Sequence, residues 1–260
     1  MPKIYRSSRQ YWEYTRLTNE KKELQKYIRH QYLSGKFPIK KKDTGKHILD
    51  LGCGNGINTV FSARLFPKHA VQGIDESNAQ VQFAKKHHSA PNLSYKTVSF
   101  AKFKSNDKYD FILISHVLQH LSMNLDVLIE KAVRYLNHGG EIWIVSQTRK
   151  GMYQIIKHQQ KLLENDFLKN WKTAEDYIPE IKKILRVDPK RSLRVHILKT
   201  SFKNINFASP SKSDKLRLEF IFGLKNSFDS QSQKFKYHLA TSEVTRGQRI
   251  SHPNAVIVIK

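Results

Sequence analysis

The sequence predicts an α/β chain: a doubly wound, mostly parallel seven-stranded sheet with helices on both faces, an antiparallel last strand and a helical cap. Three observations carry that expectation. Short apolar runs alternate with helix-patterned stretches from residue 46 to residue 146, the pattern of a parallel sheet with right-handed crossovers. A glycine loop, Gly52-Cys53-Gly54-Asn55-Gly56, follows directly on the first apolar run, residues 48–51. The final residues, 253–260, end in the strand-like string AVIVIK.

The elements justify themselves in order. Residues 1–35 read as helical, with Tyr11, Trp12, Tyr14, Leu17, Leu24, Tyr27, Ile28 and Tyr32 forming a broken apolar stripe that Gly35 and Pro38 terminate. Strand one is 48–51, and a helix carrying Val60, Phe61, Ala63 and Leu65 begins near Asn58. Strand two is 70–74, followed by a helix over 78–87 with Ser77 or Asn78 as its cap. Strand three is 93–98. Strand four, 109–115, contains FILI between polar flanks, which suits burial on both faces. Leu128, Ile129, Ala132, Val133 and Leu136 give a helix over 125–136, and strand five is 141–146. Beyond it, 151–167 and 174–186 read as helices, and 193–200, 215–222 and 253–260 as strands.

A strand feeding a glycine loop and a helix N-terminus lets backbone approach a nucleotide-like ligand closely. Asp75, about twenty residues beyond the loop at the end of strand two, stands where a ribose-binding carboxylate belongs. With these residues the chain resembles the class I, Rossmann-like S-adenosylmethionine-dependent methyltransferases. Residues 48–56 resemble that family's first motif, including an acidic residue at Asp50, and Asp75 in VQGIDES resembles its second carboxylate. The strings YDFILISHVLQHL (109–121) and LNHGGEIWIV (136–145) resemble two later signatures, in the same order and spacing.

The resemblance implies an enzyme that binds S-adenosylmethionine and releases S-adenosylhomocysteine. It implies that Gly52, Cys53, Gly54, Asn55 and Gly56 run beside the methionine and ribose portions, and that Asp50 receives the ammonium. It also implies that Asp75 takes the ribose hydroxyls, that Glu76 borders the adenine, and that Ser115 ends strand four beside the cofactor. The family usually has an acidic residue after strand three; here Ser99 takes that position with Phe100 beside the base, and a hydroxyl accepts more weakly than a carboxylate. His116 is the candidate nearest the acceptor, and His120 a candidate base or orienter, with Gln119 beside them. The resemblance also implies an N-terminal helical lid, which makes Tyr5, Tyr11 and Tyr14 candidates to close over the sulfonium, a cation aromatic faces favour; the same aromatics equally suit anchoring that helix to the core. The expected organisation is a lid at 1–45, a cofactor-binding core at 46–150, and a cap with closing strands at 151–260.

Composition bounds the function. The chain holds 46 Lys and Arg against 22 Asp and Glu, a formal net charge of +24, which attracts polyanions or serves as a solubilising surface. Cys53 is the single cysteine, so no intramolecular disulfide forms and covalent attack on a pyrimidine is disfavoured; its place inside the glycine loop reads as small-residue packing. No cysteine or carboxylate accompanies His87-His88 at metal-ligand spacing, so no metal is expected. No apolar run reaches 18 residues and the N-terminus lacks an apolar signal core, so a cytoplasmic protein with no membrane span is expected. No Asn/Asp-Pro-Pro-aromatic string follows strand four, which argues against amino-directed methylation of adenine in DNA. The leading expectation is methyl transfer to an N or O of a small-molecule acceptor. The alternatives are an RNA or protein methyltransferase using the basic surface, and a non-catalytic protein that binds the cofactor or nucleic acid.

Overall fold

The computed structural model describes residues 20–118, 123–148, 172–186, 191–198 and 254–260. Twelve elements fall among them: α1 (Glu20–Leu33), β1 (His47–Leu51), α2 (Ile57–Leu65), β2 (Ala70–Asp75), α3 (Asn78–His87), β3 (Leu93–Thr97), β4 (Tyr109–Ser115), α4 (Leu125–Arg134), β5 (Leu136–Gln147), α5 (Ala174–Leu185), β6 (Leu193–Leu198) and β7 (Asn254–Ile259). The strands make one seven-stranded sheet in the order β3-β2-β1-β4-β5-β7-β6. β1 through β5 pair in parallel, while β7 lies antiparallel between β5 and β6. This is the predicted fold, with the antiparallel closing pair formed by β6 and β7. The expected helix at 151–167 and strand at 215–222 lie outside the described residues.

Alternation along the central strands produces two cores. In β4, Ile112 and Ile114 face one side and Phe111 and Leu113 the other, all four fully buried. The first face receives α4 and α5 through Leu128, Ile129, Ala132, Tyr177, Ile181 and Leu185. The second receives α1 through Leu24 and Ile28, together with Phe37, Phe66 and Trp143. Each such aliphatic or aromatic side chain contributes about 1.5–3 kcal/mol by leaving water. The described part of the N-terminal segment is thus anchored on the sheet: Tyr27 stacks on His196 with ring centroids 4.3 Å apart, and Gln25 Nε2 donates to Asn58 Oδ1 at 3.3 Å.

The junction between α4 and β5 departs most from the sequence reading. α4 stops at Arg134 and β5 begins at Leu136, because Tyr109 pairs with Leu136 while Phe111 pairs with Glu141. The extra residues 137–140 bulge out of the ladder, with Gly139 at φ +75°. Gly140 is confined by contact, since a Cβ there would stand 3.0 Å from the Asp110 carbonyl oxygen.

Buried charges tie the sheet edges together. Glu141, 2% exposed, accepts from Trp143 Nε1 at 2.8 Å and pairs with Lys260 at 2.7 Å and Arg194 at 3.4 Å. Asp110 accepts from the His47 backbone N at 3.0 Å and from Lys46 Nζ at 3.2 Å. His69, also buried, accepts from the Lys46 backbone N at 3.1 Å through Nδ1, which requires that nitrogen unprotonated. Burial lowers the His69 pKa, against the opposing pull of Asp43 and Asp110. The unfolded chain therefore binds the proton more readily than the folded one, so this contribution is complete above the unfolded histidine pKa and is lost as pH falls below it. Urea midpoints should decline from pH 7.5 to pH 5, and His69→Asn should flatten that decline; equal slopes in both proteins would assign it to other groups.

Candidate functional site

The site gathers at the carboxyl ends of the parallel strands. β1 ends at Leu51 and releases the glycine loop, whose first two amides both reach the end of β2: Gly52 N and Cys53 N donate to the Ile74 carbonyl at 2.8 and 2.9 Å. Gly56 N closes the turn on the Cys53 carbonyl at 3.0 Å, and Val60 N then starts α2 on the Gly56 carbonyl at 2.9 Å. Two positions demand glycine. Gly52 has φ +71° and a Cβ there would stand 2.4 Å from Val117 Cγ2; Gly56 has φ +79° and its Cβ would stand 2.4 Å from the Tyr95 hydroxyl.

Asp75 ends β2 with both carboxylate oxygens oriented. Oδ2 accepts from Gly54 N at 2.9 Å and Oδ1 from Ser77 N at 2.8 Å. The carboxylate is half-buried. Ser77 then caps α3 through its own oxygen, which accepts from Gln80 N. Asp50 lies deeper, 3% exposed, and accepts from Thr59 Oγ1 at 2.7 Å.

Beneath the loop stands a layer that sequence reasoning missed. The Tyr95 hydroxyl reaches the His88 carbonyl at 2.9 Å and the Gly56 carbonyl at 3.3 Å. Burial, helped by Cys53 and Asp50, pushes the phenol pKa strongly up, so the group stays a donor. His88 Nδ1 meets the Asn55 carbonyl at 2.6 Å, which fixes the proton on Nδ1 because a carbonyl only accepts. Tyr95 carried no motif, and only its place one strand away from the loop could have pointed to it.

The other predicted residues divide. Glu76 is exposed and Ser99 half-buried at the outer strand ends. The side chains of Cys53 and Asn55 are buried, at 5% and 0% exposure, so the loop faces any ligand with backbone at those positions rather than with side chains. Phe100 is 4% exposed and packs against Phe103 and Tyr135, with Lys131 Nζ 5.1 Å over its ring. Ser115 is the last residue of β4, opposite Val145. His116 follows at φ +55°, the one non-glycine residue with positive φ among the described residues, and its N–H donates to the Val145 carbonyl at 2.9 Å. That conformation is disfavoured for a residue with a side chain, and it turns the chain so that Val117 lies over Gly52. Tyr11, Tyr14, Gln119 and His120 lie outside the described residues.

The strand order β3-β2-β1-β4 therefore lines up Ser99, Asp75, the glycine loop with Asp50, and Ser115-His116 along one sheet edge. Four adjacent strand ends span about 14 Å, the length of an extended nucleoside joined to an amino acid. Among the described residues, no three His, Cys, Asp or Glu side chains gather to hold a metal ion, and no helix is long and apolar enough to cross a membrane.

Residues 35–170 match the family described as "Methyltransferase small domain". Among curated proteins, the chain is 30% identical over 107 residues to an uncharacterised protein of Methanocaldococcus jannaschii, covering 40% of this chain and 29% of that one. It is 29% identical over 146 residues to an uncharacterised protein of Rickettsia prowazekii, covering 54% and 57%. An (S)-coclaurine N-methyltransferase of Thalictrum flavum subsp. glaucum is 29% identical over 103 residues, covering 38% and 28%. The chain thus spans less than two thirds of each of these relatives. Among solved structures, a plantazolicin methyltransferase crystallised with SAH shares the fold, with a TM-score of 0.58, 16% identity, and 93% of this chain and 85% of that one covered.

The layer under the loop can be tested without any ligand. Tyr95→Phe should lower stability by about 1 kcal/mol at an unchanged denaturant slope. Gly56→Ala, which adds both strain and collision, should cost about 2–5 kcal/mol. Equal small losses in the two variants would mean that the loop tolerates other conformations.

Proposed function

The chain belongs to the methyltransferase small-domain family, and from that premise we propose that it transfers a methyl group from S-adenosylmethionine to an N or O of a small-molecule acceptor. The observation that carries the reading is the row of four strand ends, which matches the cofactor in length and in the sequence of groups presented. The fit rests on this chain's own features. A Cβ at Gly52 or Gly56 would collide with Val117 or Tyr95, so only glycine lets the loop lie this close to the strand ends and present backbone there, and Asp75 holds an oriented carboxylate.

In this reading Asp75 accepts from both ribose hydroxyls. Asp50 faces the ammonium from below the loop, directly or through water. Ser99 meets the purine edge, and Ser115 and His116 border the methyl group. Bound, the cofactor supplies an electrophilic methyl on a sulfonium, which an acceptor lone pair displaces in line. The protein's part is alignment and exclusion of water. His116, fixed by its amide and its turn, orients the acceptor, while His120 is a candidate base. Residues 1–45 act as a lid and 151–260 as a cap with the closing strands.

A second reading takes its support from the charge of +24, which favours RNA or an acidic protein as the methyl acceptor. Salt separates the two: transfer to a polyanion falls steeply with ionic strength, and transfer to a small neutral acceptor does not.

The direct experiment incubates the protein with methyl-labelled S-adenosylmethionine and cell extract and sizes the labelled products. Label in a low-mass fraction insensitive to nuclease and protease is expected. Label lost with nuclease or protease would move the conclusion to the second reading. Asp75→Ala should weaken S-adenosylhomocysteine binding by about 1–3 kcal/mol in calorimetry; an unchanged affinity would remove Asp75 from the site.

A further inference from the structure

The base end of the row has an unusual chemical character. Ser99 follows β3 by two residues, and β3 is registered on β2 so that Thr97 is opposite Asp75 and Val98 N donates to the Asp75 carbonyl at 2.9 Å. A ribose held by Asp75 therefore directs its base towards Ser99. The carbonyl of Ser99 is used by Lys102 N at 3.0 Å and Phe103 N at 2.9 Å, whereas its half-buried hydroxyl has no hydrogen-bond partner among the described residues.

The segment that carries Ser99 holds no carboxylate to read an amino group. Residues 93–106, LSYKTVSFAKFKSN, contain three lysines and no Asp or Glu. Lys131 adds a fourth cation from α4, its Nζ donating to the Phe100 carbonyl at 2.6 Å and the Ala101 carbonyl at 2.8 Å. Of the two acidic residues that end β2, Asp75 is oriented by two backbone amides towards the ribose position, and Glu76 is exposed, so solvent weakens any bond it makes to a base. A carboxylate there could only accept, and would fix a purine by its 6-amino donor. A lone neutral hydroxyl makes one weak bond and rotates to donate or accept.

We propose that Ser99 makes the purine subsite of this chain nearly indifferent to the 6-amino group, so that the site takes purine-6-modified forms of the cofactor alongside the adenine form. The inference rests on the methyltransferase reading above and specifies how its cofactor is selected. Losing the amine removes one neutral hydrogen bond and strands no buried charge, so the discrimination is small. Ser99→Asp installs an acceptor that needs the amine, so discrimination appears with a single substitution.

The test compares two ligands by calorimetry on the full chain: S-adenosylhomocysteine and its deamino analogue, which carries hydrogen at purine C6 and leaves N1 an acceptor. The wild type should bind the two within about fivefold of each other, and Ser99→Asp should widen the gap beyond about thirtyfold. Ser99→Ala should keep the gap as narrow as in the wild type. A wild-type preference above about tenfold for the amino form, retained in Ser99→Ala, would overturn the proposal while leaving the cofactor reading intact. Failure of both ligands to bind the wild type would overturn the cofactor reading and this inference with it.

Discussion

Asp75 accepts from the glycine loop on one oxygen and from the residue that caps α3 on the other. That single carboxylate thus joins the end of β2, the loop after β1 and the cap of α3. Amide-to-carboxylate bonds are charge-assisted and stronger than neutral ones. They also fix the rotamer of the one group best suited to grip vicinal hydroxyls. In the proposed reading, structural and ligand-binding duties coincide on this side chain, since each carboxylate oxygen has more than one lone pair. The loop is held from the opposite side by the Tyr95 and His88 contacts, so it is clamped above and below.

The sheet supplies the rigidity that makes such clamping useful. Its central strands are buried on both faces, and its far edge is fastened by Glu141 through Trp143, Arg194 and Lys260. The two cations there are about half exposed and contribute modestly. The Trp143 bond is buried and holds the carboxylate in place. Against this frame, the one disfavoured backbone conformation on a side-chain-bearing residue falls at His116, on the strand exit facing the row of binding groups. Strain that persists at such a point is consistent with a chain path set by the site rather than by local preference.

Much of this was legible in the sequence because local signals and global fold agree. The glycine loop, Asp75 and the buried run of β4 announce themselves through spacing and composition, and the family resemblance supplied the seven-stranded sheet with an antiparallel last strand. What was hidden depended on contacts distant in sequence. Phe100 sits next to a polar strand end, and nothing in its local sequence announces that Phe103, Tyr135 and Lys131 pack around it. Tyr95 alternates among polar residues in a strand that is half exposed, and its partner, the loop, lies 39 residues away. The bulge at residues 137–140 was hidden for a related reason: the Gly-Gly pair signals a turn, while the pairing of Leu136 with Tyr109 extends the ladder beyond it. The late strand register was out of reach of pattern alone, since β7 enters between β5 and β6 from the far end of the chain.

The single sulfhydryl of the chain has a further use. Cys53 is 5% exposed, tucked under the glycine loop with its Sγ 3.0 Å from where a Cβ on Gly73 would lie. A water-soluble thiol reagent can reach it only when the loop lifts from the end of β2 or the chain unfolds. The rate of alkylation therefore reads the opening equilibrium of that one loop, with no competing cysteine to correct for. Any molecule that seats on the loop slows the reaction in proportion to its occupancy. The protein thus carries a built-in reporter by which ligands of the loop can be ranked.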